Sequence, residues 1–567
     1  MAADTETRKS WARIPVLGWL IFVVLLAVVL LVASALPNTT LVGRLLGAAG
    51  EQRAGTVTPE LVAHLGERLR FAAGLLLVLS VGLTVLRAPF EDLIDAAVHD
   101  LTWPRWPARA DALAVGAAAL LAIGLRLAFL NQPMRYDEAT TFNEFASRPL
   151  YYGLSFYPDP NNHLLNTLLV HFAFVGLGNQ PWVLRLPALL AGVLLVPATY
   201  ALARLLHDRR TAFLSAMFVA ASSYLVEYST NARGYMLQAL CFVVLLSLIV
   251  IAVRRDGLSA LFLAALVAAL GAYAVPTMLY GVVVAGAWFW IQARRVRLSR
   301  IAPRHLAVSG LVLGLVVSLV YLPVLLVSGP DKLVANRFVA PLDLSELALE
   351  LPTSLAHTWA VWNRDIALPI SALLLLGFVI TTVADVQRKT MPLGVLAATV
   401  CLAIALLQRV APYERVWLFL LPLYFVLSSG GLVRLSQGRW PGLVVYAAGL
   451  VGAGVIAVTT FTSGSVLASP ETGRFVDAEA VARTLSGRLA PGDAVLTLVP
   501  ASQPELQYYF PRFGLPIDTL VRPPEEATRL YVVALPDTTP AVVGWDHPEP
   551  IQRFPGAVLL ALQRAPG

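Results

Sequence analysis

RLPALLAGVLLVPATYALARLLHDRRTAFLSAMFVAASSYLVEYSTNARGYMLQALCFVVLLSLIVIAVRR, residues 185–255, holds three apolar runs joined by two polar turns. The runs, 183–206, 211–226 and 235–253, have the roughly 16 to 24 residues that a helix needs to cross a bilayer. The first turn is basic, from His207 to Arg210, and so is the end at Arg254 and Arg255. The second turn mixes Glu227 and Arg233 with Tyr228, Asn231 and Tyr235. Basic residues on alternate loops mark the cytoplasmic side. The stretch therefore reads as three consecutive crossings, with an unusual polar turn on the side opposite the basic loops.

The same pattern continues in both directions. The chain of 567 residues is 57% hydrophobic and 14% charged, more apolar than a soluble core requires. Apolar runs also fall at 14–36, 71–87, 111–130, 258–275, 277–292, 306–327, 367–386, 391–408, 416–433 and 441–462, predicting about thirteen transmembrane helices in all. The first run is long, follows basic residues and lacks a small-residue cleavage site, so it reads as a retained anchor. The net charge of +7 is spread over Arg clusters between apolar runs, which reads as topology and gives no nucleic-acid partner. Cys241 and Cys401 lie inside apolar runs and match no metal-ligand spacing, so they read as core residues.

If Arg8, Lys9 and Arg13 are cytoplasmic, the loops with Arg105 and Arg109, His207 to Arg210, Arg254 and Arg255, Arg294 to Arg304, Arg388 and Lys389, and Arg434 and Arg439 fall on that same side. The other face receives loops 37–70, 131–182 and 328–366, turns 225–234 and 409–415, and the tail. HLLNTLLVHFAFVGLG, 163–178, is apolar but short for a span, and LSELALELPTSLAHTWAVW, 344–362, is amphipathic. The first predicts a re-entrant or interfacial helix, and the second an amphipathic helix on the membrane surface. From 463 the apolar runs shorten and Pro, Gly and charge rise. DAEAVARTLSGRL has a helical period, and DAVLTLV, RLYVVAL and AVLLAL read as short strands. The expected fold is thus an α-helical polytopic membrane protein with interfacial helices and a small C-terminal α/β extracytoplasmic domain. It divides into an N-terminal accessory segment with two spans (1–110), a transmembrane catalytic domain (111–462) and the outer domain (463–567).

Ionisable residues at membrane boundaries concentrate on the outer face, where they commonly face a polar cavity. MRYDEATTF, 134–142, sets Asp137 beside Glu138, whose side chains on a helix diverge by about 100°. One carboxylate can face a reactant while the other orients, and both also suit an ordinary helix start. Arg233 has the planar fork that matches phosphate oxygens, or it is a snorkelling residue paired with Glu227. Asn162 and His163 open the short apolar helix, and Arg337 and Arg415 add external positive charge. A pocket with one carboxylate and several cations suits a sugar carried on a polyprenyl phosphate. The carboxylate would take the proton of an attacking hydroxyl, and cations would hold the departing phosphate.

YDE at 136–138, NNHLLNTLLVHFAFVGLGNQPWVLRLPALLAG from 161, EYSTNARGYML and PYERVWLFLLPLYFVL resemble the polyprenyl-phosphate-sugar-dependent glycosyltransferases of the type C superfamily (GT-C). They are most similar to its protein O-mannosyltransferases and lipid A aminoarabinose transferase. The tail's LAPGDAVLTLVP and LQYYFPRFGLP look like the same group, so the resemblance covers roughly 111 to 515. It implies Asp137 as general base, Glu138 as its orienting or assisting partner, and Arg233 as a lipid-phosphate ligand. It also implies His163 and Tyr235 in the pocket, to which Tyr136, Asn162, Glu227, Arg337 and Arg415 are added as substrate-binding candidates. Some members bind a divalent metal ion near the lipid phosphate, but no ligand set carries over. The chain departs from the pattern in its two extra spans and in NNHLL, where many relatives have a Pro-rich HPPLY type segment.

The expectation is an inverting glycosyltransferase of the bacterial inner membrane, N-terminus cytoplasmic and active site outside. It would move a sugar from a polyprenyl-phosphate donor to a glycan, lipid or protein acceptor, in contact with membrane lipids. A transporter or flippase of a lipid-linked sugar would also need a polar pocket, but would spread its polar residues through the bilayer depth. A non-catalytic scaffold would depend on the tail and not on Asp137.

Overall fold

The computed structural model describes residues 2–41, 59–100, 109–334, 340–436, 441–467, 469, 472, 475–538 and 541–564. Arg105, Arg337 and Arg439 lie outside the described residues. Every predicted span falls on helix, as long apolar runs without water to satisfy their backbone must. Nine helices among the described residues are both long and apolar enough to cross a membrane. The other four predicted spans fall on Arg209–Ala221, Leu258–Ala274, Met278–Val296 and Leu393–Gln408. Of these, Leu258–Ala274 and Leu393–Gln408 are apolar but shorter. The chain is a multi-pass membrane protein built mostly of helix.

Arg209–Ala221 is the centre of the bundle. From Thr211 to Ala221 every residue is buried, because Arg109–Leu130, Leu186–Leu206, Leu421–Ser436 and Gly442–Ser463 surround it. The N-terminal pair, Ala2–Ser34 and Pro59–Val85, pack on each other, and the second of them on Pro303–Val320. Arg68 ties this pair to the Leu322–Val327 helix, donating to the Val327 carbonyl and to Glu60.

The predicted basic loops meet at one end. Asp256 accepts from the backbone of Ser299, Arg300 and Ile301, Arg300 pairs with Asp100, and Arg295 donates to the Arg388 carbonyl. Nearby, Asp111 holds Arg204 and Arg209. The loops assigned to the other face meet at the opposite end. There Arg364 reaches Glu227, the Leu342 amide donates to the Arg409 carbonyl, and Ser354 bonds the Pro412 carbonyl.

The two short apolar segments form helices Leu164–Leu177 and Leu344–Trp362. In the tail, Ala478–Leu485 packs on a four-stranded sheet of order β1-β2-β4-β3, with β1 Ala494–Thr497, β2 Leu530–Ala534, β3 Trp545–Arg553 and β4 Val558–Arg564. β1 runs parallel to β2, and β4 is antiparallel to both neighbours. Three strands match the predicted ones. β3 was not predicted, because WDHPEPIQR is an exposed, bulged edge strand with two prolines and no apolar alternation. The tail shares a hydrophobic core with the 131–182 loop, where Phe142 meets the Tyr508 ring at 5.6 Å.

Candidate active site

The first long loop begins where Pro133 stops the Arg109–Leu130 helix. That helix leaves carbonyls without partners, and the fully buried Arg185 takes them. Its guanidinium donates to the carbonyls of Leu130 (2.6 Å), Gln132 (2.7 Å) and Pro133 (3.0 Å), a cation at a helix C-terminus. The same guanidinium pairs with Glu138, also fully buried. One Glu138 oxygen accepts from the Arg135 amide at 3.0 Å, closing the first turn of helix Tyr136–Thr141, and the other from the Ala232 amide at 2.8 Å. Burial pushes the Glu138 carboxyl up, but Arg185 and these bonds outweigh it and hold it ionised.

Glu138 therefore binds the loop to the Thr230–Gly234 turn. Asn166 donates to the Ala232 carbonyl at 2.8 Å, Gln132 to Thr230, and the Gly234 amide to His163 Nδ1 at 2.8 Å. Glycine is required at 234, since a Cβ there would lie 2.8 Å from the Ala274 carbonyl oxygen and 3.0 Å from the His163 Cβ.

This clamp delivers Arg233 to Asp137. Arg233 Nη2 lies 3.8 Å from the Asp137 carboxylate, and Nη1 reaches Thr141 Oγ1 at 3.3 Å and the Asp137 carbonyl at 3.5 Å. Arg233 Nε has no partner among the described residues. The Asp137 side chain keeps 19% of its surface exposed, so a reactant can reach it. Arg415 faces Asp137, Tyr228 and Tyr235 and stacks on Tyr413 at 4.7 Å. Its guanidinium makes no hydrogen bond or ion pair among the described residues. Tyr235 packs edge-on against His163 (4.8 Å) and Tyr228 (5.4 Å), with Arg233 5.7 Å from its ring. Burial, then Arg233 and Arg415, hold the His163 imidazole well below its ordinary range. It is neutral, with its proton on Nε2, because Nδ1 accepts.

Asp137, Arg233, Arg415, His163 and Tyr235 thus gather, and Tyr136 stands at the edge of the group, half-buried. Asn162 does not join them: its amide nitrogen donates to the Gly153 and Phe156 carbonyls and its oxygen accepts from Thr167, so it shapes the loop. Glu227 sits behind the site and pairs with Arg135 (3.7 Å) and Arg364, leaving Arg233 to Asp137. Arg337 lies outside the described residues. Arg185, within RLPALLAG, carries no local signal of its role, since its partner Glu138 is 47 residues away and only folding joins them.

No group of three His, Cys, Asp or Glu side chains that could hold a metal occurs among the described residues. Near Asp137, the Glu138 oxygens and His163 Nδ1 are already bonded. The site does not fit a protein-built metal centre.

The family described as Dolichyl-phosphate-mannose-protein mannosyltransferase matches residues 167–323. The solved structure of ArnT from Cupriavidus metallidurans in the apo state aligns at TM-score 0.52 and 13% identity, over 79% of this chain and 97% of that one. The chain has the GT-C fold. ArnT bound to undecaprenyl phosphate aligns equally, at TM-score 0.52 and 14% identity over the same shares, 79% and 97%. Among curated proteins, none matches significantly in sequence. The matched segment contains Arg185, Arg233 and Gly234.

Proposed function

We propose that this chain is an inverting glycosyltransferase that takes a sugar from a polyprenyl-phosphate donor and passes it to an acceptor hydroxyl on the outer face. The observation that carries this reading is the reachable Asp137 carboxylate between two cations, Arg233 and the uncommitted Arg415. The acceptor oxygen attacks the anomeric carbon while its proton passes to Asp137. The bond from that carbon to the phosphate oxygen breaks, and the polyprenyl phosphate leaves with the electron pair. The Arg233 fork, with Nε unengaged, and Arg415 stabilise the phosphate as its charge rises. No acid is needed for a leaving group already anionic, so the neutral His163 fits as support for the turn. The relative ArnT is described bound to undecaprenyl phosphate, a carrier of the proposed class. Glu138 is read here as a positioning residue.

Paired variants test this. Asp137→Asn is expected to fold with nearly parental stability, since its ion pair is long, and to lose about 10²- to 10⁴-fold in sugar transfer from radiolabelled polyprenyl-phosphate sugars to membrane extract. Glu138→Gln is expected to lower stability by about 3–5 kcal/mol, because it leaves Arg185 buried without its counter-charge. Unchanged transfer by a folded Asp137→Asn protein would remove the base from the mechanism.

A further inference from the structure

Tyr136 opens the short helix that carries Asp137. It lines a cleft whose other wall is the Thr497–Gln507 segment of the tail, with Leu498, Ser502, Gln503 and Gln507. We propose that this cleft is the acceptor subsite and that it takes a neutral, hydroxyl-rich carbohydrate. The inference rests on the glycosyltransferase reading and adds the acceptor's chemical class.

Three observations carry it. The cleft is built, not incidental. Asn143 donates to the Pro504 carbonyl at 2.8 Å, the Met134 amide donates to the Tyr509 hydroxyl at 3.1 Å, and Ala501 holds the left-handed backbone (φ 57°) that turns the wall. Its lining is polar but uncharged: among the described residues no Lys, Arg, Asp or Glu lines it, and Glu505 is turned inward to accept from the Phe475 amide. A phosphorylated headgroup would find no counter-charge there.

The side-chain amides of Gln503 and Gln507 make no hydrogen bond among the described residues, and Tyr136 offers a ring face and an uncommitted hydroxyl. Amides and an aromatic face are what a sugar's hydroxyls and C–H faces require. An extended peptide would instead pair its backbone with a strand edge, such as that of β1, which contributes Thr497, and would leave the two glutamine amides unused. Tyr136 is the chain neighbour of Asp137, which ties the cleft to the residue proposed as base.

The test uses the full chain in lipid nanodiscs, with saturation-transfer NMR on mannotriose, maltotriose, a neutral Ser/Thr hexapeptide and glucosamine 1-phosphate. Binding of undecaprenyl phosphate is measured alongside. Either trisaccharide is expected to bind in preference to the peptide and the phosphosugar. Binding is expected to fall about tenfold in Gln503→Ala/Gln507→Ala, the loss of one or two hydrogen bonds, with undecaprenyl phosphate retained. Loss of carrier binding in the parent, with trisaccharide binding still dependent on the two glutamines, would overturn the donor assignment and leave the subsite standing. Preference for the peptide or phosphosugar, trisaccharide binding indifferent to the glutamines, or none at all would overturn the subsite.

Discussion

At the scale of single residues, the neighbouring carboxylates of YDE are separated by their surroundings. Glu138 is sealed in with Arg185, while Asp137 keeps contact with solvent and Arg233. Sequence alone could state that the two must differ, because helical neighbours diverge, but not which was buried. His163 gives this site a pH dependence. Below about pH 6.5 an unfolded imidazole binds a proton, whereas the buried one resists until well below that value. The unfolded state then binds more protons, so stability falls on acidification, by up to about 1.4 kcal/mol per pH unit per group. His207, depressed to about 4 by burial and then Arg434, adds the same slope. Glu138, with its lowered value, loses its contribution only in more acidic solution. His163→Asn keeps an acceptor for the Gly234 amide. Its thermal midpoint should therefore drop about half as much as the parent's between pH 7 and pH 5.5, and equal drops would show that the folded imidazole takes up its proton as readily as the unfolded one.

At the scale of elements, apolar run length made the helices legible, and basic loops showed which ends belong together. What escaped was whatever depends on contact between distant segments. Arg185 meeting Glu138 and Glu227 meeting Arg364 have no local signature, and β3 lacks the alternation that marks a half-buried strand. Helix packing follows the same rule. Leu368–Gln387 and Leu421–Ser436 approach so closely that a Cβ at Gly431 would collide with the Gly377 carbonyl oxygen. Small residues allow such approach where lipid supplies no hydrophobic drive. Gly431→Ala should therefore cost at least about 1–3 kcal/mol as overpacking, read as a lower unfolding midpoint in detergent. Gly454→Ala, with nothing within 4 Å of its added carbon, should be neutral. Equal stability of the two variants would mean that this helix pair can part without penalty.

At the scale of the whole molecule, the polar chemistry lies at one end and the basic loops at the other. The first end joins the 131–182 loop, the Thr230–Gly234 turn, Arg364, Arg415 and the tail, with Arg135 reaching both Glu227 and the Val466 carbonyl. The second joins Asp256 to the Ser299–Ile301 segment and Arg295 to Arg388. The positive-inside rule predicts a direction: a basic loop end retained in the cytoplasm would put the site and the tail outside. The two native cysteines, Cys241 and Cys401, are buried, so the natural chain is itself a quiet background for labelling. Cysteine placed at the exposed Glu525 of the tail should react with a membrane-impermeant maleimide in right-side-out vesicles. Cysteine at the exposed Arg294 should react only in inverted ones. The reverse pattern would put Asp137 and its cations on the cytoplasmic face, where an acceptor of the proposed kind would have to be met before export.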